Sequence, residues 1–181
     1  IKSQLYRSTF RNGKQLFDFA LFSKTGKMVV FDPDVLFLSC PDELIDWIIG
    51  GKKEIRFLYV ENSGAQQEIS LQLRSGRDLH FCAAFFCIYK EVVDLELIEK
   101  ILDNVEKINW TTGESIYAVL IKNKLDSYDV SSFNRGKYQA YIGPNFSAPE
   151  SDPVIFRHYN SSLGISDQYL VDIKKIISFL S

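Results

Sequence analysis

Apolar positions along the chain switch three times from a strand-like to a helix-like spacing. A strand places alternate side chains on opposite faces, whereas a helix brings every third or fourth onto one face. The helix-like stretches are residues 41–49, 94–109 and 166–180. In the second, Leu95, Ile98, Leu102, Val105 and Ile108 share a face. In the third, the stripe is Ile165, Tyr169, Ile173, Ile176, Ile177 and Leu180. Local signals agree with these limits. Pro41 suits a first helical position, Asp42 and Glu43 suit its positive end, and Gly50-Gly51 is a stop. Asp94 and Ser166 are natural caps for the other two helices.

Two or three strand-like runs precede each helix. In the first unit, Asn12-Gly13 lies between the runs 6–11 and 14–21. It predicts a two-residue hairpin with positive φ at Gly13. The run 27–31 (KMVVF) is a further strand, broken by Asp32-Pro33-Asp34 because proline has no N–H to donate; 35–38 resumes it. The second unit predicts strands at 54–61, 68–73 and 79–89. The third predicts strands at 115–122, 137–142 and 154–159, separated by a polar stretch at 123–136 and a loop at 143–152. The fold class expected is α+β, a mainly antiparallel sheet with about three helices, each following a group of two or three strands. The units share neither a period nor a residue pattern, so tandem duplication is not indicated. Residues 1–181 are read as one domain, and any subdivision is expected near 110–114, where pairing signals are weakest.

Composition narrows the function classes. Hydrophobic residues at 46% and charged residues at 24% are the balance of an ordinary globular protein. The 14 Phe and 9 Tyr imply an aromatic core before they imply an aromatic binding surface. A net charge of −2 gives no global attraction to nucleic acid or to anionic membrane, and no apolar run is long enough to span a bilayer. Three cysteines are too few for a disulfide framework and favour a reducing, cytoplasmic setting. Cys82 and Cys87 are an odd number of residues apart on one strand, so they are expected on opposite faces and not on a shared metal. The sequons at Asn109, Asn145 and Asn160 are read as chance occurrences. The first residue is Ile1, which would fit a domain cut from a larger protein.

Candidate chemistry is sparse. The Gly26-Lys27 pair lacks the glycine spacing of a phosphate loop and runs into a strand. Asp18, Asp32, Asp34, Glu54 and Glu61 lie on or beside strands, and clustered carboxylates of this kind can hold a hard cation for a nuclease. Asp32-Pro33-Asp34 nevertheless reads first as a turn, and Asp172-Ile173-Lys174 as the polar face of a helix. The two histidines, His80 and His158, fall inside strands, and no glycine-framed nucleophile turn accompanies Asp78, His80 and Cys82. No catalytic residue, metal ligand or cofactor is therefore assigned.

Binding chemistry is better represented. Lys122, Lys124, Arg135 and Lys137 are interleaved with Tyr128, Phe133, Tyr138 and Tyr141, and Arg7, Arg11 and Lys14 with Tyr6, Phe10 and Phe17. Cations neutralise phosphates and aromatic faces stack on bases. Phe146 lies between Pro144 and Pro149 in the long loop. The candidate binding residues are Tyr138, Tyr141, Phe146, Arg135 and Lys137. The function expected is a non-catalytic protein-binding module of the immunity, inhibitor or adaptor type, with a protein partner and no membrane. The alternatives are a nucleotide- or RNA-binding domain of a larger protein and a metal-dependent nuclease.

Overall fold

The computed structural model describes residues 2–50, 55–61, 81–124, 129–142, 153–159 and 166–180. Their order is α1 (Lys2–Thr9), α2 (Arg11–Phe22), β1 (Lys27–Phe31), β2 (Val35–Phe37), α3 (Asp42–Ile49), β3 (Ile55–Glu61) and β4 (Phe81–Tyr89). A short 3-10 turn, then α4 (Leu95–Asn104), α5 (Thr112–Lys122), β5 (Asp129–Ser132), β6 (Tyr138–Ile142), β7 (Phe156–Tyr159) and α6 (Asp167–Leu180) complete the chain. The fold is α+β. Among the described residues no helix is long and apolar enough to cross a membrane.

Two mixed sheets form the centre. The larger has the order β1-β4-β3-β5 and the smaller β2-β7-β6. β4 pairs antiparallel with both β1 and β3, and β2 antiparallel with β7. The pairings β3–β5 and β6–β7 are parallel. The sheets are thus mixed where a mainly antiparallel one was expected, and the described residues hold six helices, not about three. Helices α1, α2, α4 and α5 cover one face of the larger sheet, burying Tyr6, Leu16, Ile98, Leu102 and Ile116 against Phe57, Phe86 and Ile88. The smaller sheet and α3 cover the other face, where Phe37, Phe133, Tyr138 and Phe156 surround Phe85 and Trp47 packs on Tyr89. The high aromatic content is largely accounted for here, since Phe133 and Tyr138 stack with centroids 4.3 Å apart and Phe85 and Phe156 at 4.9 Å.

Helix limits follow the local chemistry at Gly50, Asp94 and Ser166. Gly50 closes α3 at φ 94°, its N–H donating to the Asp46 carbonyl. Asp94 caps α4, its side chain accepting from Leu97 N at 3.0 Å. Ser166 Oγ accepts from Tyr169 N at 3.1 Å at the start of α6.

At four further places the structure differs from the sequence expectation. The hairpin about Asn12-Gly13 is instead the helix pair α1–α2, and Gly13 does not have positive φ. Its lack of a side chain serves a close helix contact, because a Cβ there would lie 2.4 Å from the Tyr6 carbonyl oxygen. The strand expected at 115–122 is α5, which is buried on almost every side and so shows no helical alternation. The helix expected to reach Asn109 ends at Asn104; Asn109 instead caps a turn, its Oδ1 accepting from Thr111 N at 2.9 Å. Finally, Cys82 and Cys87 lie on the same face of β4, both in the core beneath the smaller sheet. Pairing jumps from Tyr59↔Phe86 to Val60↔Cys82, and this bulge reverses the alternation between Ala84 and Phe86. The strand expected at 68–73 lies outside the described residues.

Candidate metal centre

The segment Asp32-Pro33-Asp34 carries the chain from the edge of one sheet to the edge of the other. It is anchored at both ends. Asp32 N donates to the Ala84 carbonyl of β4 at 2.9 Å, and the Asp34 carbonyl accepts from Tyr159 N of β7 at 2.9 Å. The chain turns at Pro33-Asp34, as its composition predicts, and the turn leaves both carboxylates on one side. β7 then brings His158 next to them, because Val35 pairs with His158 in the β2–β7 ladder.

The result is a three-residue cluster. One ligand-type atom from each of Asp32, Asp34 and His158 lies within 4.8 Å of the others. His158 Nε2 is 3.6 Å from Asp34 Oδ1, and its Nδ1 is 3.8 Å from Cys82 Sγ. Burial lowers the His158 pKa, and the negative charges of Asp34 and Asp32 pull it back upward. Burial also pushes the Cys82 thiol up to about 12, so it stays protonated. Two carboxylates and an imidazole fit a divalent cation that prefers oxygen with one nitrogen, such as Mn²⁺ or Mg²⁺.

Three further groups face Asp32. Arg11 of α2 forms an ion pair with Asp32 Oδ1, and its side chain is 56% exposed. Gln15 Nε2 approaches the same oxygen at 3.4 Å. Glu114, in the first turn of α5, accepts from Ala83 N at 3.2 Å. Its carboxyl is pushed up to about 7, first by burial and then by the Asp32 charge, while the Ala83 N–H pulls it down.

Behind β7 lies a buried ionic clasp. Asp172 of α6 is fully enclosed and accepts from Arg157 Nη1 at 2.5 Å, from the Tyr159 hydroxyl at 2.5 Å and from Gln168 Nε2 at 3.0 Å. Arg157 and Tyr159 flank His158 on the strand, so the clasp holds β7 from the face opposite the cluster.

Of the five residues expected to bind a partner, the side chains of three are described. Tyr138 is fully buried and stacks on Phe133, so its ring is core. Arg135 and Lys137 are exposed in the turn before β6. The Tyr141 side chain and Phe146 lie outside the described residues, as do His80 and Tyr128. In the other aromatic–basic group, Arg7 is paired with Asp18 at 2.6 Å and Arg11 with Asp32. The cluster's members were in view as separate residues. Asp32 and Asp34 are visible as an acid-x-acid segment between two apolar runs, 27–31 and 35–38. The contribution of His158 has no local signal, since it depends on the β2–β7 pairing.

No family model matches the chain, and no curated protein matches it in sequence. Among solved structures, the fold is similar to that of the apo form of mouse xyloside xylosyltransferase 1, with a TM-score of 0.53 and 8% sequence identity. The match covers 84% of this chain and 64% of that chain, so this chain spans under two thirds of the neighbour's length. At this identity the likeness is one of fold.

Proposed function

We propose that the protein is a divalent-metal-dependent glycosyltransferase-type domain acting on a sugar activated by a diphosphate. The observation that carries this reading is the convergence of Asp32, Asp34 and His158 from two sheets into one cluster. The fold likeness to a xylosyltransferase supports the sugar class over the nuclease alternative. A bound divalent cation would supply neutralisation of the diphosphate leaving group. Asp32 and Asp34 would hold that cation through carboxylate oxygens, and His158 through Nε2. Arg11, beside Asp32 and partly exposed, is suited to pair with phosphate oxygens. Glu114, whose carboxyl titrates near neutrality, is suited to hold or release a proton next to the site.

The competing proposals are the non-catalytic protein-binding module and a nucleotide- or RNA-binding domain of a larger protein. One experiment separates them. Mn²⁺ binding is measured by electron paramagnetic resonance, and uridine and guanosine diphosphate binding by calorimetry with and without Mn²⁺. Metal binding abolished by Asp34→Asn, with diphosphate binding that requires the metal, is the expected result. Hydrolysis or transfer from a nucleotide-sugar panel then identifies the donor. Absence of Mn²⁺ binding, or unchanged binding in Asp34→Asn, overturns the reading.

A further inference from the structure

The geometry points to Cys82 as a positioning residue that sets the tautomer and orientation of His158 at the cluster. The inference rests on the metal reading above. An imidazole that ligates a cation through Nε2 must offer a lone pair there, so its proton must sit on Nδ1. A proton on Nδ1 needs an acceptor, and metal-ligating histidines ordinarily find one. In this protein Nε2 is the nitrogen near Asp34, and Nδ1 lies 3.8 Å from Cys82 Sγ. A thiol sulfur is a weak acceptor, and 3.8 Å is a reasonable length for an N–H donating to sulfur.

Two features of the backbone bring about this contact. Regular alternation along β4 would separate Cys82 from the face that carries Phe85 and Cys87. The bulge between Val60↔Cys82 and Tyr59↔Phe86 returns it to that face, beneath His158. On the other side of β7, Asp172 clasps Arg157 and Tyr159 and fixes the strand. With the backbone held, the remaining freedom of His158 is its ring rotation and tautomer. Cys82 acts on those.

The test compares the wild-type chain with Cys82→Ser, Cys82→Ala and Cys82→Val, each checked for an intact melting transition. Valine fills the space and removes the acceptor, so it serves if alanine fails to fold. Removing the acceptor is expected to weaken Mn²⁺ binding about 10–100-fold, the usual effect of losing such a partner. Serine, whose hydroxyl can accept, is expected to restore most of the affinity. In a His158→Ala background, Cys82→Val should have no further effect. Nitrogen-15 NMR of the imidazoles in Mg²⁺, assigned with His158→Ala, supplies a second readout: with Nε2 on the cation the Nδ1–H form is expected in the wild type, and the Nε2–H form should rise in Cys82→Val at the same Mg²⁺ concentration. An unchanged tautomer and unchanged affinity in both apolar variants overturn the inference while leaving the metal site standing. A wild type that binds no Mn²⁺ overturns the metal reading, and the role of Cys82 in positioning a ligand falls with it, whatever the tautomer.

Discussion

Glu114→Gln tests whether the carboxyl beside Asp32 is held at a cost to the fold. Glu114 ionises at about 7 in the folded protein, against 4.5 for an ordinary glutamate side chain, chiefly because it is buried. Its folded pKa therefore lies above the unfolded one. Between those two values the unfolded chain has released a proton that the folded chain keeps, so stability falls as pH rises across that window. Above about pH 7 both states are ionised and the full penalty remains. The difference corresponds to at most about 3 kcal/mol, reduced by whatever water reaches the carboxyl. Glutamine has the same shape, carries no charge and can still accept from Ala83 N. The variant should match the wild type near pH 4.5 and exceed its stability by up to about 3 kcal/mol at pH 8. Urea unfolding from pH 4.5 to pH 8 in chelator, so that no cation stabilises the carboxylate, measures both. All other groups titrate in both proteins, so the difference between the curves isolates Glu114. Parallel curves across the window would refute the burial argument.

Three other substitutions probe the framework. Ile98→Asp places an unpaired charge in the core under α4 and should cost more than about 4 kcal/mol or prevent folding; an unchanged melting temperature would contradict that packing. Gly13→Ala gains about 1 kcal/mol of helix propensity but drives a Cβ to 2.4 Å from the Tyr6 carbonyl oxygen, a backbone clash of about 1–3 kcal/mol or more, so net destabilisation is expected by chemical denaturation and a more stable variant would exclude the α1–α2 contact. Asp172→Ala leaves Arg157 buried without its carboxylate and should cost about 3–5 kcal/mol, whereas the double change Asp172→Leu with Arg157→Met should recover much of that; a tolerated single variant, read by thermal melting, would mean that the clasp is not formed.

Much of the framework was determined by the sequence itself. The strands KMVVF and FCAAFFCIY, the helix stop at Gly50 and the caps at Asp94 and Ser166 all lie where side-chain chemistry and backbone preference act over a few residues. The apolar face of Ile98 and Leu102 was equally legible, because one side of α4 meets solvent and the alternation survives. Tertiary structure decided the rest. α5 is enclosed on nearly all sides, which erases the periodicity by which a helix is recognised. Asn12-Gly13 has turn composition, yet the close approach of Tyr6 selects a helix in which glycine supplies space and not positive φ. Tyr138 alternates with lysine as an exposed strand residue would, but the second sheet covers it. The bulge in β4 moves Cys82 to the opposite face from the one that counting assigns. Asp32 and Asp34 could be marked from their spacing alone. Their meeting with His158 could not, because it requires β2 and β7, far apart along the chain, to pair in one register, and strand pairing of that range is set by the packing of the whole molecule and not by local preference.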